Sequence, residues 1–377
     1  MARKPKPTSR RSVLKSGGVA LVGTMGLAGC AGSNNQDNDS TTTQNTTTQT
    51  TTSGGGGGGG GEEMEITFAF TQPPENISVQ AAQEHFTSVI EEQTNGRISF
   101  NIEAATLGGT EDNLSALEAG TVDILHESPT ALSQRFASEY SFAGDPFVIE
   151  DMEHYRAVTE EFLKPEDGLN GVLLENGIRL GDAFYVGNRC FTSNSAVTSP
   201  EDVQGLKLRL PQYETWTTVW DEIGANVTPV AYDELYSALQ TGVVDASEGP
   251  ISQFLAVSLY EVQSHFSVTN HLLDTKHFLY NEEFFQGLSD ADRELITSTA
   301  ADAVDKMTND IKSREEELYN QAEEQGTTVV PAEEVNRDAF VEAAMPALEQ
   351  LSQNTWAVNI SEIQDLASST TQSTTTT

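Results

Sequence analysis

Ser115-Ala116-Leu117-Glu118-Ala119-Gly120-Thr121-Val122-Asp123 returns later in the chain as Ser237-Ala238-Leu239-Gln240-Thr241-Gly242-Val243-Val244-Asp245, with six of nine positions identical. In each copy a short helical pattern meets a glycine, and an apolar strand pattern follows. Helix-cap chemistry alone can produce such a match, because helix–glycine–strand is common. The sharper reading is two related α/β domains. Each would end a buried strand near a carboxylate, Glu127 in one and Glu248 in the other. In open α/β sheets ligands bind beyond the carboxyl ends of strands. Two such ends facing each other make a cleft between domains.

Working outward, residues 64–70 alternate, with Ile66, Phe68 and Phe70 on one face. Residues 78–94 carry Val79, Ala82, Phe86, Val89 and Ile90 at helical spacing, and Asn95-Gly96 ends them. Ile98, Phe100 and Ile102 alternate again. Strand–helix–strand is the unit of a parallel sheet with helices outside. The grammar recurs: helix 114–119, strand 122–125, helix 214–223, strand 227–230, helix 233–240 and strand 243–246. Residues 289–326 read as one helix that starts at an N-cap-like Ser289 and stops at Gly326. At ~1.5 Å per residue it is ~55 Å long, so it should pack on both domains.

The ends of the chain differ in kind. Arg3, Lys4, Lys6, Arg10, Arg11 and Lys15 precede an apolar stretch over 19–28. This is the layout of a signal peptide, too short for a membrane span, although an uncleaved N-terminal anchor has the same pattern. Residues 9–15, Ser-Arg-Arg-Ser-Val-Leu-Lys, resemble a twin-arginine signal. Leu27-Ala28-Gly29-Cys30 resembles a lipoprotein cleavage box, with Cys30 receiving the lipid. The expected signal is 1–29. Residues 30–62 are rich in Thr, Asn and Gly and read as a disordered stalk, and 366–377 as a disordered tail. Cys190, the other cysteine, reads as a small buried apolar residue. Six Asn-X-Ser/Thr sequons, at Asn38, Asn45, Asn76, Asn113, Asn226 and Asn359, permit glycosylation outside the cell.

Formal charge is −37, with 20 Lys and Arg against 57 Asp and Glu. Loss of the six basic residues before Cys30 takes it to −43. Nucleic acid is therefore a poor partner. So acidic a chain resembles proteins of salt-loving archaea. At about 1 M salt the Debye length falls to about 3 Å and self-repulsion is screened. Most carboxylates then serve solvation, and the few arginines become informative. Arg179 follows a strand-like run, Arg189 sits in Gly187-Asn188-Arg189-Cys190, and Lys207 and Arg209 share one face of 205–211 while Leu206, Leu208 and Leu210 share the other. A guanidinium presents a planar fork of donors that matches a carboxylate with two parallel bonds. Each arginine is either such a clamp or a surface ion pair.

Four runs carry a family resemblance: Gly187-Asn-Arg-Cys-Phe-Thr-Ser-Asn194; Pro200-Glu-Asp-Val-Gln-Gly-Leu-Lys-Leu-Arg-Leu-Pro211; Pro229-Val-Ala-Tyr-Asp-Glu-Leu-Tyr-Ser-Ala-Leu-Gln-Thr-Gly-Val-Val-Asp245; and Tyr260-Glu-Val-Gln263. Together with Leu107-Gly108 and 120–124, they resemble the DctP-type solute receptors of tripartite ATP-independent (TRAP) transporters over about residues 64–350. The resemblance implies an α/β, two-domain periplasmic-binding-protein-like fold with a cleft between domains and a long helix spanning both. It divides the chain into domain I, 64–186 and 275–314, and domain II, 187–274 and 315–365. It implies that Arg209, in Lys-x-Arg-x-Pro, pairs with a ligand carboxylate and that Arg189 assists. Glu127, Gln212, Tyr232, Glu248 and Gly249 fall at further ligand-binding positions. Many members read Gln-Glu-Asn-Pro where this chain has Ser247-Glu248-Gly249-Pro250, so one ligand-facing amide is missing here.

The resulting expectation is an extracytoplasmic receptor, anchored at Cys30, that takes a small organic acid and hands it to membrane permease subunits. The reading assigns it no cofactor and no metal-ligating residue. An exported enzyme is the competing class, and the sequence lacks a Gly-x-Ser-x-Gly elbow, His-Glu-x-x-His, Cys-x-x-Cys or a phosphate loop. A receptor of the same fold that feeds a sensor protein fits the same residues.

Overall fold

The computed structural model describes residues 62–374, with side chains to 367. The signal at 1–29, Cys30 and all of the 30–62 stalk but its last residue lie outside the described residues. Among the described residues there are nine strands: β1 Met64–Phe70, β2 Ile98–Ala104, β3 Ile124–Glu127, β4 Ile178–Ser193, β5 Lys207–Leu210, β6 Asn226–Pro229, β7 Ser247–Gly249, β8 His265–Asn281 and β9 Thr328–Val330. β1 pairs in parallel with β2 on one side and β3 on the other. The strand–helix–strand reading of 64–102 is thus realised, although the helix widens into a π turn over Gln83–Thr87.

Two long antiparallel strands organise the rest. The sheet runs β2-β1-β3-β8-β4-β7, with β9 also on β8. The carboxyl half of β8 lies between β3 and the amino half of β4. The amino half of β8 lies between β9 and the carboxyl half of β4, which in turn carries β7. β5 pairs with β6 and reaches β7 through a Leu208–Ala246 bridge. The sheet therefore has two halves that share only β4 and β8. The register shifts between Tyr185 and Gly187, where the chain passes from one half to the other. Gly187 has φ +138°, and a Cβ there would lie 2.8 Å from the Pro250 Cβ. No L side chain suits that position.

Helices close both halves. The long helix Asp290–Glu324 begins at Ser289, whose hydroxyl accepts from the Asp292 amide at 3.1 Å. It packs on β4 and the Ile77–Ala82 helix in one half, and on the Ile251–Ala256 helix and β9 in the other. Tyr185 joins it at the crossing: its amide donates to Thr308 Oγ1 (3.2 Å) and its hydroxyl to Glu315 Oε1 (2.6 Å).

Three expectations are corrected. Residues 243–246 form no strand: Val243 is 55 % exposed, Ala246 makes only the single bridge to Leu208, and β7 starts at Ser247. The preceding residues are used to return from the helix. The tail expected from 366 begins inside the helix Ile360–Thr374. Once a turn is nucleated, each added residue brings its own hydrogen bond, so polar composition does not stop the helix at once. Asn76 and Asn113 are 2 % and 0 % exposed, so these two sequons are closed to a glycan in the folded chain.

Candidate functional site

β5 ends in alternating apolar residues, and Leu208 and Leu210 are fully buried as expected. Arg209 is also only 1 % exposed, although its side chain lies opposite theirs. Its amide donates to Ala246 O (2.8 Å), which locks β5 beside the start of β7. Its Nε donates to Val230 O at 2.9 Å. Among the described residues, no hydrogen bond or carboxylate meets its two terminal nitrogens. Burial pushes the guanidinium pKa down to about 10, although Glu248 opposes that fall. The Tyr232 hydroxyl is likewise buried without a partner. Burial raises its pKa to about 12, against the pull of Arg209 and Arg189.

Arg189 is held differently. Its Nε and one Nη grip both Glu248 carboxylate oxygens at 2.5 and 2.8 Å, and its other Nη meets Asp274 Oδ2 at 2.8 Å. It stands 5.0 Å above the Trp216 ring. Burial opposes its charge, but Glu248 and Asp274 outweigh that and raise its pKa. Glu248 itself falls to about 2: burial would raise it, and Arg189 overrides burial. His271 Nε2 lies 3.3 Å from the same carboxylate while its Nδ1 meets Thr269 Oγ1 at 2.9 Å. Burial holds the His271 pKa down. The neutral ring therefore donates from Nε2 and accepts from Thr269. Arg189 and Glu248 thus satisfy each other, whereas Arg209 is left open.

Glu127 ends β3 and is 2 % exposed. Its Oε1 accepts from the Ser128 amide (2.7 Å) and from Lys276 Nζ (3.2 Å), and its Oε2 is buried without a partner. Lys276 also lies 3.5 Å from Thr71 Oγ1. Tyr213, four residues beyond Arg209, lies in the electrostatic field of both Glu127 and Arg209. Burial raises the Tyr213 pKa, and Glu127 adds to the rise. Tyr213 in turn acts on Arg209.

Gln212 is exposed, on the turn between β5 and the helix Glu214–Ile223. Gly249 is buried in β7 opposite Cys190. A Cβ there would fall 2.9 Å from Gln253 Oε1, so the Gln253 carboxamide occupies the space a side chain at 249 would need. A void of about 10 Å³ beside Glu248, Gly249 and Gln253 has room for about one water, and Arg209 does not line it. Cys190 is buried, and burial raises its thiol pKa to about 12. Arg179, the third arginine stretch, forms a two-pronged pair with Glu282 at 2.7 Å and 2.7 Å.

Sequence reasoning passed over Lys276, Asp274 and Tyr213. The available signal was an acidic and a basic residue at i and i+2, Asp274 and Lys276, between Leu272-Leu273 and Phe278-Leu279. Among the described residues, Glu84, His85 and Asp310 bring potential ligand atoms within 4.8 Å, a meeting of distant segments on the surface.

The model of the bacterial extracellular solute-binding protein family 7 matches residues 68–354. The sialic acid-binding periplasmic protein of Vibrio cholerae is 29 % identical over 267 residues, 70 % of this chain and 81 % of that one. A TRAP periplasmic solute-binding protein from Roseobacter denitrificans, solved with bound L-galactonate, superposes with a TM-score of 0.70 at 26 % identity, covering 81 % of this chain and 99 % of that one. Another from a Polaromonas species, bound to D-erythronate, gives 0.72 at 25 % identity, over 80 % and 98 %. The family is one of receptors rather than enzymes. Among the described residues, no helix is long and apolar enough to cross a membrane. The chain belongs to bacterial extracellular solute-binding protein family 7, the DctP-type receptors of TRAP transporters.

Proposed function

We propose that this receptor binds a small organic carboxylate through a two-pronged bond from Arg209, in a cleft between the lobes 64–186 with 275–314 and 187–274 with 315–365. One observation carries the reading: Arg209 is 1 % exposed and, among the described residues, no protein group meets its terminal nitrogens. Leaving a buried charge unpaired costs several kcal/mol, so such a group calls for an anion from outside the chain. Nearby relatives are described with bound sugar acids, L-galactonate and D-erythronate, which have the required carboxylate. Arg189 and Glu248 serve as the rigid wall that holds the site's shape. Tyr232 lines it and offers its hydroxyl, Gln212 stands at its open edge on the turn beyond β5, and Gly249 leaves room for Gln253.

The rest of the account follows from export. The 1–29 signal delivers the chain, Cys30 carries the lipid, the 30–62 stalk gives reach, and permease subunits receive the ligand. The acidic surface suits high salt, and the clamp, being buried, escapes screening. Native mass spectrometry of freshly purified protein tests the reading. An organic acid should leave with the wild-type protein and be missing from Arg209→Met. Retention of the same acid by Arg209→Met would sink the clamp.

A further inference from the structure

The helix that follows β1 changes its winding at the π turn Gln83–Thr87. In an α-helix residues i and i+1 do not face each other. A π turn takes more residues to come round, so Glu84 and His85 diverge less and can reach toward one neighbour. That neighbour is the long helix Asp290–Glu324, against which the turn packs. Phe86, fully buried, fixes the turn from inside. On the outer side Glu84, His85 and Asp310 each bring one possible ligand atom within 4.8 Å of the others. His85 Nε2 stands 3.9 Å from Asp310 Oδ2.

Two further observations point to a cation among these groups. His85 Nε2 is shut off from solvent and, among the described residues, has no hydrogen-bond partner. A buried nitrogen left in that state carries a desolvation penalty that a bound group relieves. The carboxylates lack a basic partner too. On the same long helix Asp292 pairs with Arg97 and Asp305 with Arg156, while Lys312 lies over the Tyr185 ring. Among the described residues, no lysine or arginine forms an ion pair with Glu84 or Asp310.

We propose that Glu84, His85 and Asp310 form a divalent transition-metal site, selective for zinc over magnesium and calcium, that ties the helix after β1 to the long helix. An imidazole nitrogen with carboxylate oxygens suits zinc, whereas magnesium and calcium favour oxygen ligands alone. Zinc holds such atoms at about 2.0–2.2 Å, so two ligands of one tetrahedral ion stand about 3.4 Å apart. The 3.9 Å between His85 and Asp310 closes by about 0.5 Å to reach that spacing, a small side-chain rotation. The two carboxylates balance the charge of the ion, and water takes the fourth position. The site is independent of the Arg209 reading, because none of its three ligands touches that arginine.

The chain has six histidines. His126, His154, His271 and His277 are buried, which leaves His85 and His265 within reach of added metal. His265 meets Ser264 Oγ at 2.9 Å through Nδ1 and, among the described residues, pairs with no carboxylate. It therefore serves as the control. The test is calorimetric titration of the EDTA-stripped protein with zinc chloride, and separately with magnesium chloride. Sodium chloride at about 1 M screens diffuse attraction to the acidic surface. One zinc ion should bind per chain, at least tenfold more tightly than magnesium. His85→Gln and Asp310→Asn should each raise the zinc Kd at least tenfold, and His265→Gln should leave it unchanged. Zinc should raise the thermal midpoint of wild type and of His265→Gln but not of His85→Gln, with circular dichroism showing each variant folded. Absence of zinc binding overturns the inference. Zinc binding that survives His85→Gln, or that is lost in His265→Gln, overturns it as well. So does magnesium bound as tightly as zinc, since that would be the acidic surface at large.

Discussion

Replacing Arg209 by lysine keeps the charge and removes the fork. In the proposed complex the two terminal nitrogens each make a charge-assisted bond to one carboxylate oxygen, and such bonds contribute about 1.5–3 kcal/mol each. A lysine ammonium is a point donor on a flexible stem. It would retain at most one of the two bonds, without the Nε–Val230 O contact that aims the guanidinium (2.9 Å). The loss on binding is then about 2–4 kcal/mol. At ~1.4 kcal/mol per tenfold, that is a Kd raised roughly 30- to 1000-fold. Calorimetric titration with L-galactonate or D-erythronate measures it, with circular dichroism to show that the variant is folded. A Kd within about threefold of wild type would refute the reasoning, because a fork that can be lost so cheaply is not holding the ligand.

Arg189→Met should behave in the opposite way, as a stability variant. It leaves Glu248 and Asp274 buried without their shared cation, a loss of about 3–5 kcal/mol in urea unfolding; adding Glu248→Gln should restore part of it. Two buried groups give opposing pH slopes. Asp145, raised to about 7 by burial despite its bonds from Thr215, Ser141 and Trp356, is protonated in the folded chain where the unfolded chain is ionised. Its contribution is full below pH about 4 and lost as pH rises to about 7. His277, lowered to about 4 by burial, donates Nδ1–H to Gly181 O (2.9 Å) and accepts from the Tyr155 hydroxyl (2.6 Å). Its contribution is lost as pH falls from about 6.5 to about 4. Relative to wild type, Asp145→Asn should therefore lose stability on acidification through that window, and His277→Gln should gain it, by up to ~1.4 kcal/mol per pH unit. Urea midpoints against pH check both, and parallel curves for all three proteins would contradict the assignment. Gly187→Ala should lower the thermal midpoint measurably, since the new Cβ meets Pro250 at 2.8 Å in a left-handed backbone; an unchanged midpoint would show that the crossing is not strained.

The repeat was the most legible feature of the fold. Gly120 and Gly242 have φ of 69° and 71°. The amides of Thr121 and Val243 return to Ala116 and Ala238 at 3.0 Å each, and those of Asp123 and Asp245 bond Thr67 O and Lys207 O at 3.0 and 2.8 Å. Nine residues of sequence thus encode one local geometry twice, each time leading a strand into the sheet. The helix Glu214–Ile223 matched its expected bounds because Trp216, Val219, Trp220 and Ile223 line one face and Gly224 stops it. β4 and β8 escaped notice for a physical reason. Gly181, Asp182, Gly187 and Asn188 interrupt β4 at its register shifts. β8 buries His271, Asp274, Lys276 and His277, so neither strand shows the alternation or apolar run by which strands are recognised. The same burial hid part of the site. Local sequence showed that Arg189 and Arg209 stand out from an acidic chain. Only long-range pairing shows that one of them is saturated by Glu248 and Asp274 and the other is not. Residue 212 reads as a neighbour of the clamp, and it lies exposed on the turn beyond it.

A crystal structure of the protein with D-erythronate bound tests the central claim most directly. The account predicts the ligand carboxylate at about 2.7–3.0 Å from both terminal nitrogens of Arg209, with the Arg189–Glu248 pair undisturbed. A carboxylate resting on Arg189 instead, or a ligand bound away from Arg209 altogether, would contradict it.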